Sequence, residues 1–385
     1  MSSASHSETG RRLPAISIIL LMLMVSFSQI QFSNLASVPQ TFPTSAEIWD
    51  DREQPWGQYG GSATRNGTMP VHNSTTGPML SIDHPVINWV ALDDNIGSDA
   101  YGSIIGNFSG SVATSPGAFE RCTPLNLFAV ILHESTSTSS TKLSLFAGDD
   151  ADLAWQVDLG DTRSARSTPV LVDVDQDGTV EVVVVYDTES SLQVDVWSPE
   201  LSCDESGWQS GGHSNELMWS WTNTDYRIGI TSPHFQTRQS NHLSVTQPLL
   251  ADLELDGQPE LVLTVVDTTT DDPHIVSLPL GANSPTEHWD VTLDRGTHPS
   301  DPAWAQLDGQ NSVVVATTID ENSGNMWVWR IDGSTGSNDW GRVALSGTDT
   351  DSDAPRLRLP SPVVVQLDGD AAPEMVLTIP TDANG

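Results

Sequence analysis

Ser167-Thr168-Pro169-Val170-Leu171-Val172-Asp173 opens a unit that continues, after an acidic loop, into Glu181-Val182-Val183-Val184-Val185. The unit returns as Thr246-Gln247-Pro248-Leu249-Leu250-Ala251-Asp252 ahead of Glu260-Leu261-Val262-Leu263. It returns again as Ser361-Pro362-Val363-Val364-Val365-Gln366 ahead of Glu374-Met375-Val376-Leu377. A shorter copy pairs Ser300-Asp301-Pro302-Ala303-Trp304 with Val313-Val314-Val315, and the most degenerate pairs Ser115-Pro116 with Leu127-Phe128-Ala129-Val130-Ile131. The shared prolines at 116, 169, 248, 302 and 362 are spaced by 53, 79, 54 and 60 residues. Self-similarity on this scale marks a repeat architecture.

Each unit carries two further strand-like pieces. One is amphipathic or aromatic: Leu143 to Phe146, Leu192 to Trp197, Ile275 to Leu278, Met326 to Ile331. The other holds a tryptophan: Trp89, Trp155, Trp219 with Trp221, Trp289, and Trp340. No helical period appears, so a unit is four short strands joined by turns. The continuously apolar, β-branched second strand requires burial on both faces. Radially stacked four-stranded sheets provide it, because neighbouring blades cover each one. Units this long exclude a β-helix coil, and a sandwich would not repeat its sequence. The expectation is an all-β chain folded as a β-propeller over residues 80–385. With a Trp340 strand, a Pro362 strand and a Val376 strand in the fifth unit, about four and a half blades are present. An open ring leaves strand edges and apolar faces in water. The sequence therefore reads as a piece of a longer protein, with a partner chain that completes the ring as the alternative.

The loop Asp173-Val174-Asp175-Gln176-Asp177-Gly178-Thr179-Val180-Glu181 places carboxylates at positions 1, 3, 5 and 9 and glycine at position 6. The next unit repeats this with Asp252, Glu254, Asp256, Gly257 and Glu260. Calcium takes six to eight oxygens at about 2.3–2.6 Å, and alternating acids in a tight turn converge on one point. Position 7, Thr179 or Gln258, would add a backbone carbonyl. Neither loop is an EF-hand, since position 12 is Val184 or Leu263 and a strand follows where a helix is needed. The other reading is an Asp/Gly-rich turn without metal, which two copies in one structural slot disfavour. The last unit has Gln366, Asp368, Asp370 and Glu374 in register, but Ala371 occupies position 6, which makes it the weaker site. The fourth unit, with Gln306, Asp308 and Gln310 but no terminal acid, and the first unit are expected to hold no calcium.

These residues resemble the FG-GAP and VCBS repeats of extracellular β-propellers, including the propeller of integrin alpha subunits. The resemblance rests on the Ser/Thr-x-Pro lead-in, the Asp-x-Asp-x-Asp-Gly-x-x-Glu loop and the Val-rich strand after it. It is strong in two units, and no Phe-Gly or Gly-Ala-Pro motif accompanies it. It implies a calcium-stabilised scaffold for adhesion, carbohydrate binding or protein binding, and does not imply an enzyme. Trp56-Gly57-Gln58-Tyr59-Gly60-Gly61 is similar to openings found ahead of quinoprotein-like propellers, which keeps that family as a rival.

Of the 385 residues, 51 are acidic and 15 basic, a formal charge of −36, and Lys142 is the one lysine. Such a chain repels phosphate backbones, so no nucleic-acid partner is expected. Arg11 and Arg12 precede an apolar run from Leu13 to Val25, the charged and hydrophobic regions of an export signal. Ser26-Phe27-Ser28 offers small residues for cleavage; the alternative is an uncleaved anchor. Residues 1–36 are thus a signal peptide or membrane anchor, and residues 37–79 a Ser/Thr/Pro-rich linker and extension. The protein is expected outside the cell or at its surface, touching membrane only through this segment. Asn66, Asn73 and Asn107 open glycosylation sequons. Cys122 and Cys203 are the only cysteines, and either pair in an oxidising compartment or are two unrelated buried thiols.

First-to-second and third-to-fourth connections share one face of a blade, which places the acidic loops and both cysteines together. The other face receives the connections between units, of which residues 93–114 and 222–245 are long. The second contains Tyr226, Arg227, His234, Phe235, Arg238 and His242, a density of aromatic and cationic groups unusual in so acidic a chain. Long loops on a rigid scaffold carry binding or are ordinary solvated insertions. No His-Glu-x-x-His or Gly-x-Ser-x-Gly occurs, and Ser139-Ser140-Thr141-Lys142 meets Ser-x-x-Lys only formally. The leading expectation is a calcium-stabilised module that binds an extracellular protein or glycan. The alternatives are a propeller enzyme, quinone-dependent or polysaccharide-acting, and a structural spacer of a large surface protein.

Overall fold

The computed structural model describes residues 96–108, 112–114, 127–135, 140–147, 152–160, 167–204, 207–208, 216–230, 244–281, 283–307, 311–319, 325–345, 359, 361–365 and 374–377. All belong to the compact unit Pro43–Gly385. The segments read as signal and linker lie outside the described residues, as do Trp89, Cys122, Asn66 and Asn73. Among the described residues there is no helix, and so none long and apolar enough to cross a membrane.

The chain forms successive four-stranded antiparallel sheets. Sheet I is Ile96–Asn107, Leu127–Ser135, Thr141–Ala147 and Leu153–Gly160; sheet II is Val170–Val172, Glu181–Asp187, Leu192–Trp197 and Leu217–Asn223. Sheet III is Leu249–Ala251, Glu260–Asp267, Pro273–Pro279 and Trp289–Thr292; sheet IV is Ala303–Leu307, Asn311–Ile319, Met326–Asp332 and Asn338–Leu345. Val363–Val365 and Glu374–Val376 pair as the next sheet, V. Sheets I to IV are each a meander in chain order, the blade of a propeller.

The Val-rich second strands are buried throughout, as their continuous hydrophobicity requires. Along Glu181–Asp187 every residue is buried, and alternation divides the side chains between two cores. Val183 and Val185 pack with Leu261, Leu263 and Val265 of sheet III, whereas Val182, Val184 and Tyr186 pack with Leu143, Leu145 and Trp155 of sheet I. Val262 of sheet III joins Val314 and Trp329 of sheet IV, and Val313 and Val315 join Val364 of sheet V. The sheets therefore stack face to face in chain order. Each fully buried side chain of this kind contributes roughly 1.5–3 kcal/mol.

The structure reassigns the tryptophan strands. Leu145 pairs with Trp155, Ser277 with Trp289, and Arg330 with Trp340, so each is the outer, fourth strand of the sheet before it and does not begin the next unit. Trp340 thus completes sheet IV. Outer-strand tryptophans reach the following sheet: Trp155 Nε1 donates to Glu216, Trp219 Nε1 to the Gly281 carbonyl at 2.8 Å, and Trp289 Nε1 to the Gly333 carbonyl at 2.8 Å. Replacing Trp289 by Phe keeps an aromatic ring but removes the N–H donor to the Gly333 carbonyl and part of the buried ring. A loss of about 1–3 kcal/mol is expected from the urea midpoint at unchanged m-value.

A second correction concerns residues 93–114, read as a long connection. They carry the strand Ile96–Asn107, the first of sheet I, which pairs with Leu127–Ser135 and ends with Asn107 opposite Leu127. Val112–Thr114 pairs in parallel with Leu201–Asp204 of the sheet II outer connection, Thr114 opposite Cys203. Within 222–245, Tyr226–Arg227 adds to the far end of Glu260–Asp267, and Gly229–Ile230 pairs with Ser244–Val245.

Candidate metal centre

Register places the acidic loops in equivalent slots. The last residue of the first strand faces the closing glutamate in three sheets: Val172 pairs with Glu181, Ala251 with Glu260, and Val365 with Glu374. Sheet IV pairs Leu307 with Asn311, so three residues separate the partners instead of eight. A nine-position loop cannot form there. Gln366, Asp368 and Asp370 lie outside the described residues.

The turn is made by residues at positive φ. Gln176 (59°) and Gly178 (88°) bend the first loop, and Leu255 (58°) and Gly257 (89°) bend the second at the same positions. The first aspartate then gathers the turn. Asp173 accepts from the backbone N–H of Asp177 at 3.1 Å and of Gly178 at 2.9 Å. Asp252 accepts from Asp256 at 3.1 Å and Gly257 at 2.9 Å. The fifth position repeats as well, Asp177 accepting from Thr179 N–H at 2.8 Å and Asp256 from Gln258 N–H at 2.9 Å. The closing glutamate reaches back to the second position, Glu181 to Val174 N–H at 2.8 Å and Glu260 to Leu253 N–H at 2.6 Å.

One carboxylate oxygen each from Asp173, Asp175 and Asp177 lie within 4.8 Å of one another. An all-oxygen donor set of this charge fits a hard divalent cation and no soft one. In the second loop Glu254 turns instead toward His288 Nε2 at 3.4 Å. The closing glutamates sit deep, each 1% exposed. Burial pushes the Glu181 carboxyl up to about 7, the Asp175 and Asp173 charges adding to it against hydrogen bonds from Val174 and Ser198. Burial pushes Glu260 up to about 8, with Asp252, Asp256 and Glu254 adding to it. Asp173 and Asp252 are raised too, burial outweighing their N–H donors. Uncompensated, these carboxylates resist ionisation; a cation among them removes that resistance.

The opposite end of the sheets carries ion pairs. Lys142 pairs with Asp158 at 2.8 Å, Arg227 with Asp271, and His274 Nδ1 with Asp290 at 2.8 Å. Burial would raise Asp290, but hydrogen bonds from His274 and Tyr226 prevail and hold it below the usual carboxylate range. Of the residues read as a ligand face, Tyr226 is buried with its hydroxyl donating to Asp290, and Arg227 serves the Asp271 pair. His234, Phe235, Arg238 and His242 lie outside the described residues. Cys203 is disulfide-bonded.

Sequence reasoning missed the polar clasp at the strands' inner ends. The residue before each of the prolines 169, 248, 302 and 362 links neighbouring sheets: Gln247 Oε1 accepts from Thr168 N–H at 2.6 Å and Asp301 Oδ1 from Gln247 N–H at 2.6 Å. Ser361 Oγ donates to Asp301 Oδ2 at 2.7 Å. The signal was present as Thr-Pro, Gln-Pro, Asp-Pro and Ser-Pro, always a residue able to hydrogen-bond.

No family model and no curated protein matches the chain. Among solved structures it is similar to a rhamnogalacturonan lyase of Bacillus licheniformis, at 12% identity and TM-score 0.36, over 72% of this chain and 55% of that one. It is similar to the exotype rhamnogalacturonan lyase YesX at 12% identity and TM-score 0.36, over 74% and 54% of the two chains. The Dos1 propeller gives 9% identity and TM-score 0.27, over 58% and 45%. The chain spans about half the length of these lyases. At such TM-scores the likenesses carry no argument about activity, and the propeller-like, all-β architecture of successive four-stranded sheets rests on the sheet topology described above.

Proposed function

We propose that the protein is an exported, calcium-stabilised β-propeller scaffold that binds an extracellular protein or glycan. The observation that carries this reading is the acidic loop built twice, with matching φ angles and matching hydrogen bonds, in the same slot of successive sheets. Asp173, Asp175, Asp177, the Thr179 carbonyl and Glu181 would hold one ion. Asp252, Glu254, Asp256, the Gln258 carbonyl and Glu260 would hold a second, and Gln366, Asp368, Asp370 and Glu374 a weaker third. Bound calcium supplies positive charge where the loops have gathered negative charge, and no redox or acid–base chemistry. The chain's own work is to close each turn over the first aspartate and carry the closing glutamate into the core. The loop thereby tethers the two inner strands of its sheet. Export is supported by Arg11, Arg12 and the apolar run after them, and by the disulfide at Cys203, which belongs to an oxidising compartment.

Binding is tested by screening the full chain against arrayed glycans and extracellular proteins in CaCl2 and in excess chelator. A ligand retained in calcium and released in chelator is the expected result. Conversion of an arrayed glycan, with no stable retention, would overturn the binding role in favour of the polysaccharide-acting enzyme.

A further inference from the structure

The two loops are in contact. Gln176, at position 4 of the first, sends its side-chain amide across the sheet boundary to the Gly257 carbonyl of the second, at 3.2 Å. The peptide that receives it is a working part of the second loop. Its oxygen belongs to Gly257, and its N–H, on Gln258, donates to Asp256 Oδ1 at 2.9 Å. Gln176 therefore acts through one rigid peptide on the orientation of an acidic side chain in the neighbouring loop. The amide is held in place by the first loop's own closure, through Asp173 and the N–H groups of Asp177 and Gly178 on either side of the turn.

We infer that the two loops fill with calcium cooperatively, Gln176 being the positioning residue that couples them; this rests on the calcium reading above. Closing the first loop on an ion fixes Gln176, which fixes the Gly257–Gln258 peptide and preorganises Asp256. Reciprocity follows from linkage: filling the second loop must favour the first by the same factor. The path is a contiguous set of hydrogen bonds. Position 4 of the second loop is Leu255, which offers no hydrogen bond, so this relay does not pass onward from it.

Leu255 also supplies the test variant. It adopts nearly the same φ as Gln176, 58° against 59°, so leucine is tolerated at this place in the turn. CaCl2 is titrated calorimetrically into the full chain as wild type, Gln176→Leu and Gln176→Ala, each with and without Asp173→Ala, which disables the first loop. One neutral hydrogen bond contributes a factor of about 2 to 12. Asp173→Ala alone is expected to weaken the second loop by that factor, and to have no effect on it once Gln176 is replaced. Asp252→Ala is expected to weaken the first loop equally. Unchanged near-ultraviolet dichroism in the Leu or Ala variant keeps the comparison valid. Second-loop affinities that ignore both Asp173→Ala and the Gln176 variants overturn the coupling while leaving the calcium reading intact. No calcium binding by wild type overturns both.

Discussion

Glu260→Gln is expected to cost the protein about 4 kcal/mol in saturating calcium, whereas in excess chelator it costs close to nothing near pH 4.5 and stabilises the fold at neutral pH. The asymmetry follows from where Glu260 sits. It is 1% exposed, and burial together with the Asp252, Asp256 and Glu254 charges pushes its carboxyl up to about 8. Without a cation it is largely protonated at neutral pH, and glutamine reproduces that neutral form, its amide oxygen still accepting from Leu253 N–H. With a cation the carboxylate is the charged ligand at the loop's closing position, and a neutral amide replaces it poorly. A ligand held at about 1,000 times its Kd stabilises the folded state by about 4 kcal/mol, which is the amount at stake in losing one site. Sign fixes the pH dependence in chelator. A carboxyl raised in the folded state binds more protons there than in the unfolded chain, so wild-type stability falls as pH rises from about 4.5 to about 8. Glu260→Gln should flatten that fall, measured by urea unfolding across the pH range.

Asp301→Ala is expected to cost about 3–6 kcal/mol, from two charge-assisted hydrogen bonds of roughly 1.5–3 kcal/mol each. Asp301 is 1% exposed at the inner edge of sheet IV, where it takes the Gln247 N–H of sheet III and the Ser361 hydroxyl of sheet V. Truncation leaves both donors without this acceptor inside the packed stack. Asp301→Asn is the informative partner variant. Its amide oxygen can still accept from Gln247, and the Ser361 hydroxyl can rotate to accept from the new amide nitrogen, so most of the loss should be recovered. Equilibrium urea unfolding in calcium measures both. A loss under about 1 kcal/mol for Asp301→Ala would show that the clasp follows the stacking of the sheets and does not help to hold it.

The acidic loops and the buried second strands were legible because each is written within a few residues. Positions 1, 3, 5, 6 and 9 of a turn and an unbroken valine run need no distant partner to be interpreted. The clasp was not legible for the opposite reason. Nothing local in Thr168, Gln247 or Asp301 says that each meets the next repeat, 54 to 79 residues away. The tryptophan strands were visible but attached to the wrong sheet, since chain proximity on either side was similar and only the pairing of Trp155 with Leu145 decides it. The first strand of sheet I, Ile96–Asn107, was missed because it contains Gly97, Gly102 and Gly106 and does not alternate. Its pairing with Leu127–Ser135 outweighs its poor strand propensity.

Thermal unfolding of the full chain in calcium and in excess chelator tests the central claim most directly. Two filled loops at about 1,000 times Kd contribute about 8 kcal/mol. At about 2.1 cal/mol/K per residue, a domain of roughly 300 residues shifts by about 1.5 °C per kcal/mol, so a midpoint about 12 °C higher in calcium is predicted. Identical midpoints in the two conditions would contradict it.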